Sequence, residues 1–106
     1  MKNDFIIIFV TCASGKEAGS LSDALLKKRL VSCANIIKGI NSRFWWKGKT
    51  EKASETLAIF KTSAAKFKAV EKEVRKAHSY EVPEIVAIPI IAGSKDYLNW
   101  IGSSIE

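Results

Sequence analysis

One histidine, two cysteines and two prolines among 106 residues close off several readings at the outset. Two thiols, Cys12 and Cys33, are too few for a disulfide framework, and no CxxC or HExxH spacing frames a zinc site. A single imidazole, His78, would have to serve every base role in nucleophilic catalysis, and no GxSxG accompanies it. Phosphate cradles of the GxGxxG or P-loop kind are missing as well. The apolar run Phe5–Val10, behind Lys2, is too short for a signal peptide's apolar region and far too short to span a bilayer. The expectations are no enzyme, no membrane partner, and a cytoplasmic, reducing compartment with two free thiols.

What is present suits one globular domain over residues 1–106, long enough to bury a core without staples. A net charge of +6 would suit nucleic acid or acidic lipid if the lysines were bunched. They are spread along the chain and read as a solvated surface.

Periodicity orders the elements. FIIIFV reads as a strand buried on both faces. Ser14 with Glu17 three residues on forms a capping box, and Ala18, Leu21 and Leu25 make a helical stripe that ends at Lys27, Lys28 and Arg29 in the last turn. Residues 33–62 read as one long hairpin, with a bulge at Gly39 and a turn at Lys47–Lys49. Ser63 is the expected cap of a second helix with an apolar face of Phe67, Val70, Val74 and Ala77, stopping near His78 ahead of Pro83. IVAIPII is a fourth strand, placed at an edge because Pro89 cannot donate to a ladder. Ser94 caps a last helix with the stripe Leu98, Ile101 and Ile105. The order βαββαβ plus a helix is the α+β, ferredoxin-like arrangement: an antiparallel sheet with both long helices on one face.

The other face should then be polar, and it is not. The first and fourth strands are apolar on both sides. The stretch RFWWKGKTEK adds Phe44 and Trp46 on one face of its strand and Trp45 on the other. Leaving such side chains wet forfeits about 1.5–3 kcal/mol each. A second copy of the chain is the economical cover, which makes Phe44, Trp45 and Trp46 interface residues. RNA is not expected on this sheet, because the first strand is aliphatic where stacking rings would be needed.

His78 has Tyr80, Glu81 and Glu84 close by in HSYEVPEI, so it is either a helix C-cap or a metal ligand. Lys61 ends a strand beside a helix N-terminus, as an anion contact or a solvated strand end.

FVTCAS, LLKKRLVSCANII, FWWKGK, IFKTS, HSYEVPEIVAIPI and YLNWI, in this order and spacing, resemble the CutA divalent-cation tolerance family over almost the whole chain. The resemblance implies a cytoplasmic, PII-like homotrimer of ferredoxin-like subunits, whose hairpins interlock. It implies no required cofactor and no catalytic activity, but links to copper and other divalent metals. The family's strand-end cysteine is matched by Val10, with Cys12 two residues on, and its histidine pair by Ala77 and His78. Cys33 matches a family cysteine. The implied metal ligands are His78, Cys33, Glu81 and Glu84, and the implied interface cleft adds Trp46, Lys61, Tyr80 and Tyr97. Weak metal binding at that cleft is the leading expectation. The alternative is a PII-like sensor of a small anion, with Lys61 as its contact, or an assembly scaffold.

Overall fold

The computed structural model describes residues 4–106; Met1–Asn3, which belong to the expected domain and include Lys2, lie outside the described residues. The elements are β1 (Phe5–Cys12), α1 (Gly15–Lys27), β2 (Cys33–Trp46), β3 (Lys49–Ser63), α2 (Phe67–Ala77), β4 (Val86–Pro89) and α3 (Lys95–Ser104). The four strands form one antiparallel sheet in the order β2-β3-β1-β4. This is the ferredoxin-like arrangement, with Pro89 on an edge strand as its missing N–H requires.

Alternation along β1 sends Ile6, Ile8, Val10 and Cys12 into the core. Against them pack Ala18, Leu21 and Leu25 from α1, Val70 and Val74 from α2, and Ala58 and Phe60 from β3. Phe5, Ile7 and Phe9 point the other way and are only half-buried. Tyr97 of α3 meets Lys61 on that second face, and Gly102 lies against the Phe5 ring, so α3 covers one end of it. The Ser14 hydroxyl accepts from the Glu17 amide at 3.1 Å, and that of Ser94 accepts from the Tyr97 amide at 3.3 Å.

Several local expectations need correction. Helix α1 stops at Lys27, and Arg29 follows in the left-handed region at φ 55°. Its amide donates to Leu26 and that of Leu30 to Leu25, closing the helix end in the way glycine usually does. The Arg29 carbonyl accepts from the Glu106 amide, and its guanidinium donates to Ser104, which holds this conformation in place. Ser63 does not cap α2: it ends β3 and leads into a 3₁₀ turn, Ala64–Lys66, with no side-chain cap bond. Ala77 is exposed rather than part of the apolar face of α2. The fourth strand is limited to Val86–Pro89 because its ladder runs only against Ile6–Phe9 of β1.

The hairpin outruns the rest of the sheet. Cys12 of β1 pairs with Thr56, so Lys49–Glu55 of β3 have only β2 beside them. A register shift between Ile37 and Ile40, with Gly39 at φ 76°, marks the bulge where this arm departs. Lys47 and Gly48, both at positive φ, close the arm in a two-residue turn. The chain is 46 Å long and 26 Å wide, with a radius of gyration of 14.4 Å. A compact chain of this length has about 13 Å.

Candidate metal centre

The end of β1, the start of α1 and the end of α2 meet at one point. Helix α2 stops where the His78 amide donates to Val74 at 2.8 Å, and the His78 ring turns inward with no solvent exposure. Its Nε2 lies 2.7 Å from the Thr11 carbonyl, and its Nδ1 lies 3.0 Å from the Tyr80 amide. A carbonyl can only accept and an amide N–H can only donate. The ring is therefore neutral, with its proton on Nε2 and its lone pair on Nδ1.

Glu17 stands beside that lone pair, Oε1 being 3.5 Å from Nδ1. Its carboxylate does not complete the capping box. It accepts instead from the Ser79 amide at 3.2 Å and from the Ser79 hydroxyl at 2.8 Å. Cys12, the last residue of β1, points to the same place. Ligand atoms of Cys12, Glu17 and His78 all lie within 4.8 Å of one another. Burial, followed by the nearby Glu17 and Glu55 charges, pushes the Cys12 thiol up to about 11. A neutral thiol, a neutral imidazole and a carboxylate thus share a mostly dry corner. Sulfur, nitrogen and oxygen donors in this combination suit Zn²⁺ or Cu²⁺.

Tyr80 carries the chain from this corner toward the other face. Its hydroxyl donates to Glu55 Oε2 at 2.7 Å. Burial first, and then Glu55, push the phenol up to about 12. Beside it lies a cleft of about 570 Å³ lined by Phe44, Trp46, Glu51, Ser79, Tyr80 and Glu81, among others.

The ligands expected from sequence do not gather in one chain. Glu81 and Glu84 are exposed, and Glu84 lines a separate cavity with Thr11, Arg43 and Glu55. Cys33 lies on another part of the sheet, paired with Lys61, and its thiol is 3.5 Å from Asn35 Oδ1. Five residues of strand separate that level from Cys12, so the two thiols stay free and far apart. Lys61 donates to Asn35 at 3.0 Å and sits 5.8 Å from the Tyr97 ring centre, while Trp46 and Tyr80 share the cleft just described. Trp46 pairs with Lys49 and Cys33 with Lys61, roughly 40 Å apart along a strand that rises about 3.4 Å per residue. Sequence reasoning missed Cys12 and Glu17 as neighbours of His78. The available signal was topological: in a βαββαβ chain the end of β1, the start of α1 and the end of α2 share one rim.

Residues 6–104 match the family model described as CutA1 divalent ion tolerance protein. A divalent-cation tolerance protein CutA from Archaeoglobus fulgidus is 46% identical over 93% of this chain and 96% of its own length. The chloroplastic protein CutA 1 of Oryza sativa is 39% identical over 93% of this chain, which spans 56% of that longer relative. Among solved structures, the periplasmic divalent cation tolerance protein CutA from Archaeoglobus fulgidus superposes with a TM-score of 0.93 at 44% identity, over 96% of this chain and 99% of that one. On sequence and on fold alike, the chain belongs to the CutA1 divalent ion tolerance protein family.

Proposed function

We propose that this protein is the subunit of a cytoplasmic homotrimer that serves divalent-cation tolerance by binding a metal ion, without catalysis. The ion is held by Cys12, Glu17 and His78, Cu²⁺ more tightly than Zn²⁺. The observation that carries this is the convergence of thiol, carboxylate and imidazole within 4.8 Å. Cu²⁺ stands highest among divalent metals for a given donor set. His78 keeps the role expected from sequence, while Cys12 and Glu17 take those expected for Cys33, Glu81 and Glu84.

Assembly is supported by the arm. A two-stranded ribbon alone is marginally stable, and this one presents Trp45 at 75% exposure, with Phe44 and Trp46 also exposed. A cleft holding both Trp46 and Lys61 needs two chains, given their separation along β3. That composite cleft is where the small-anion alternative would act, through Lys61. The compartment is a separate matter: the Archaeoglobus fulgidus relative is described as periplasmic, and fractionation of cells producing this chain decides it.

Anaerobic calorimetry with Cu²⁺ and Zn²⁺ tests the metal reading. Loss of a neighbouring support costs a metal site about 10–100-fold, so His78→Ala, which removes a ligand outright, should weaken binding by at least about tenfold while the trimer persists. Co²⁺ should give a sulfur charge-transfer band that Cys12→Ser abolishes. Equal Cu²⁺ affinity in wild type and His78→Ala would reduce His78 to a helix-end residue and favour the small-molecule alternative.

A further inference from the structure

Resting on the metal reading above, we propose that the Ser79–Tyr80 segment is a strap that competes with the ion for the same lone pairs. An imidazole nitrogen has one lone pair in the ring plane. That of His78 Nδ1, the nitrogen facing Glu17, is taken by the Tyr80 amide at 3.0 Å. Glu17 is engaged as well, by the amide and the hydroxyl of Ser79. Nε2 offers no way round this, because it donates to the Thr11 carbonyl at 2.7 Å inside the fold. Among the described residues no buried side-chain nitrogen or oxygen lacks a partner, and the imidazole has no second lone pair to offer an ion. An ion cannot enter without displacing something, and the strap is the movable party. Ser79 is exposed, and residues 79–85 form neither helix nor strand, whereas Thr11 is locked in a central strand.

Ion entry therefore replaces the Tyr80 N–H on Nδ1 and the Ser79 donors on Glu17, while the Cys12 thiol releases its proton to solvent and binds as thiolate. The freed strap carries Tyr80, whose hydroxyl holds Glu55 and whose ring walls the cleft with Phe44 and Trp46. Metal occupancy at the inner corner is thereby read out on the aromatic surface of the arm. Affinity is set by the strap as much as by the ligands.

Amide hydrogen exchange followed by NMR on the whole protein, with and without saturating Zn²⁺, tests this. The Ser79 and Tyr80 amides should exchange at least tenfold faster with Zn²⁺ bound, while amides of the β1 and β3 core stay protected. Ser79→Ala removes one competitor without touching a ligand and should tighten Zn²⁺ about fivefold, the worth of one net hydrogen bond. Zn²⁺ binding that depends on Cys12 and His78 but leaves the strap amides protected, or Ser79→Ala binding no tighter than wild type, would overturn the strap and leave the metal site standing. No Zn²⁺ binding in either protein would overturn both.

Discussion

At His78, at the end of α2, each ring nitrogen has a backbone partner and the side chain meets no solvent, whereas Trp45, at the tip of β2, is 75% exposed. The width of the sheet accounts for the contrast. Over Leu57–Lys61 β3 has β1 on one side and β2 on the other, with α1 and α2 packed above. Before Thr56 the sheet narrows to two strands, and nothing wider than a ribbon carries the aromatic cluster. A single chain completes its inner corner and leaves its arm exposed. On the proposed reading, metal binding belongs to the first region and assembly to the second.

The largest expected effect breaks the arm and spares the corner. Trp45→Ser with Trp46→Ser removes two large side chains whose burial is worth about 1.5–3 kcal/mol each at every interface. The wild type should sediment as a trimer at micromolar concentration and remain one at high salt, because apolar contacts are not screened. The double variant should dissociate at concentrations at least about a hundredfold higher, with one Zn²⁺ still bound per chain. A compact wild-type monomer in analytical ultracentrifugation would remove the basis of the comparison.

A second experiment works on the corner and spares the arm. The Cys12 thiol ordinarily titrates at 9.0 and is raised to about 11, and the Tyr80 phenol goes from 10.0 to about 12. Both groups bind their protons more tightly in the folded chain than in the unfolded one. The stability that this contributes is fully present below pH 9, begins to fall as the unfolded thiol ionises, and is lost as pH rises through 11 and 12. Denaturation at fixed ionic strength should therefore show a midpoint declining between pH 9 and 12, with a smaller decline in Tyr80→Phe. Iodoacetamide at pH 8 should leave Cys12 unmodified until the chain is unfolded. A flat profile over that range would mean that the corner is wetter than its geometry indicates.

The same contrast runs through what the sequence made legible. The strand order follows from βαββαβ and the edge position from Pro89. The bulge follows from Gly39, and the half-buried apolar second face from counting both sides of FIIIFV. All of these depend on local chemistry or on alternation, which one chain segment carries by itself. The meeting of Cys12, Glu17 and His78 depends on where three elements end relative to one another, and no spacing along the chain encodes it. Glu17 was legible as a helix cap and is in fact drawn off by Ser79, a partner 62 residues away. Arg29 at φ 55° was hidden for a related reason: a residue that disfavours this conformation is kept there by contacts to the far end of the chain. Tertiary partners override local preference most where elements terminate, and the rim of this sheet is made of terminations.

The smallest expected effect sits at the junction between the two regions. Gly39, at φ 76°, turns β2 from the covered sheet into the arm, and a Cβ added there would meet no atom within 4 Å. Gly39→Ala therefore introduces no clash, and its cost is that of an L-residue in the left-handed region, about 1–2 kcal/mol. Gly48, at φ 80° in the turn of the arm, has equally open surroundings and should cost about the same as Gly48→Ala. The two variants thus match in backbone strain and differ in what the strain can move. At the tip, relaxation shifts a two-residue turn. At the bulge, relaxation swings the whole arm, with Phe44, Trp45 and Trp46 on it. Equal losses in denaturant midpoint, together with weaker trimerisation in Gly39→Ala alone, would show that the bulge aims the arm at its neighbour. Equal trimerisation in both would mean that the arm finds its partner whatever its angle, and that the bulge only absorbs an extra residue between two strands of unequal length.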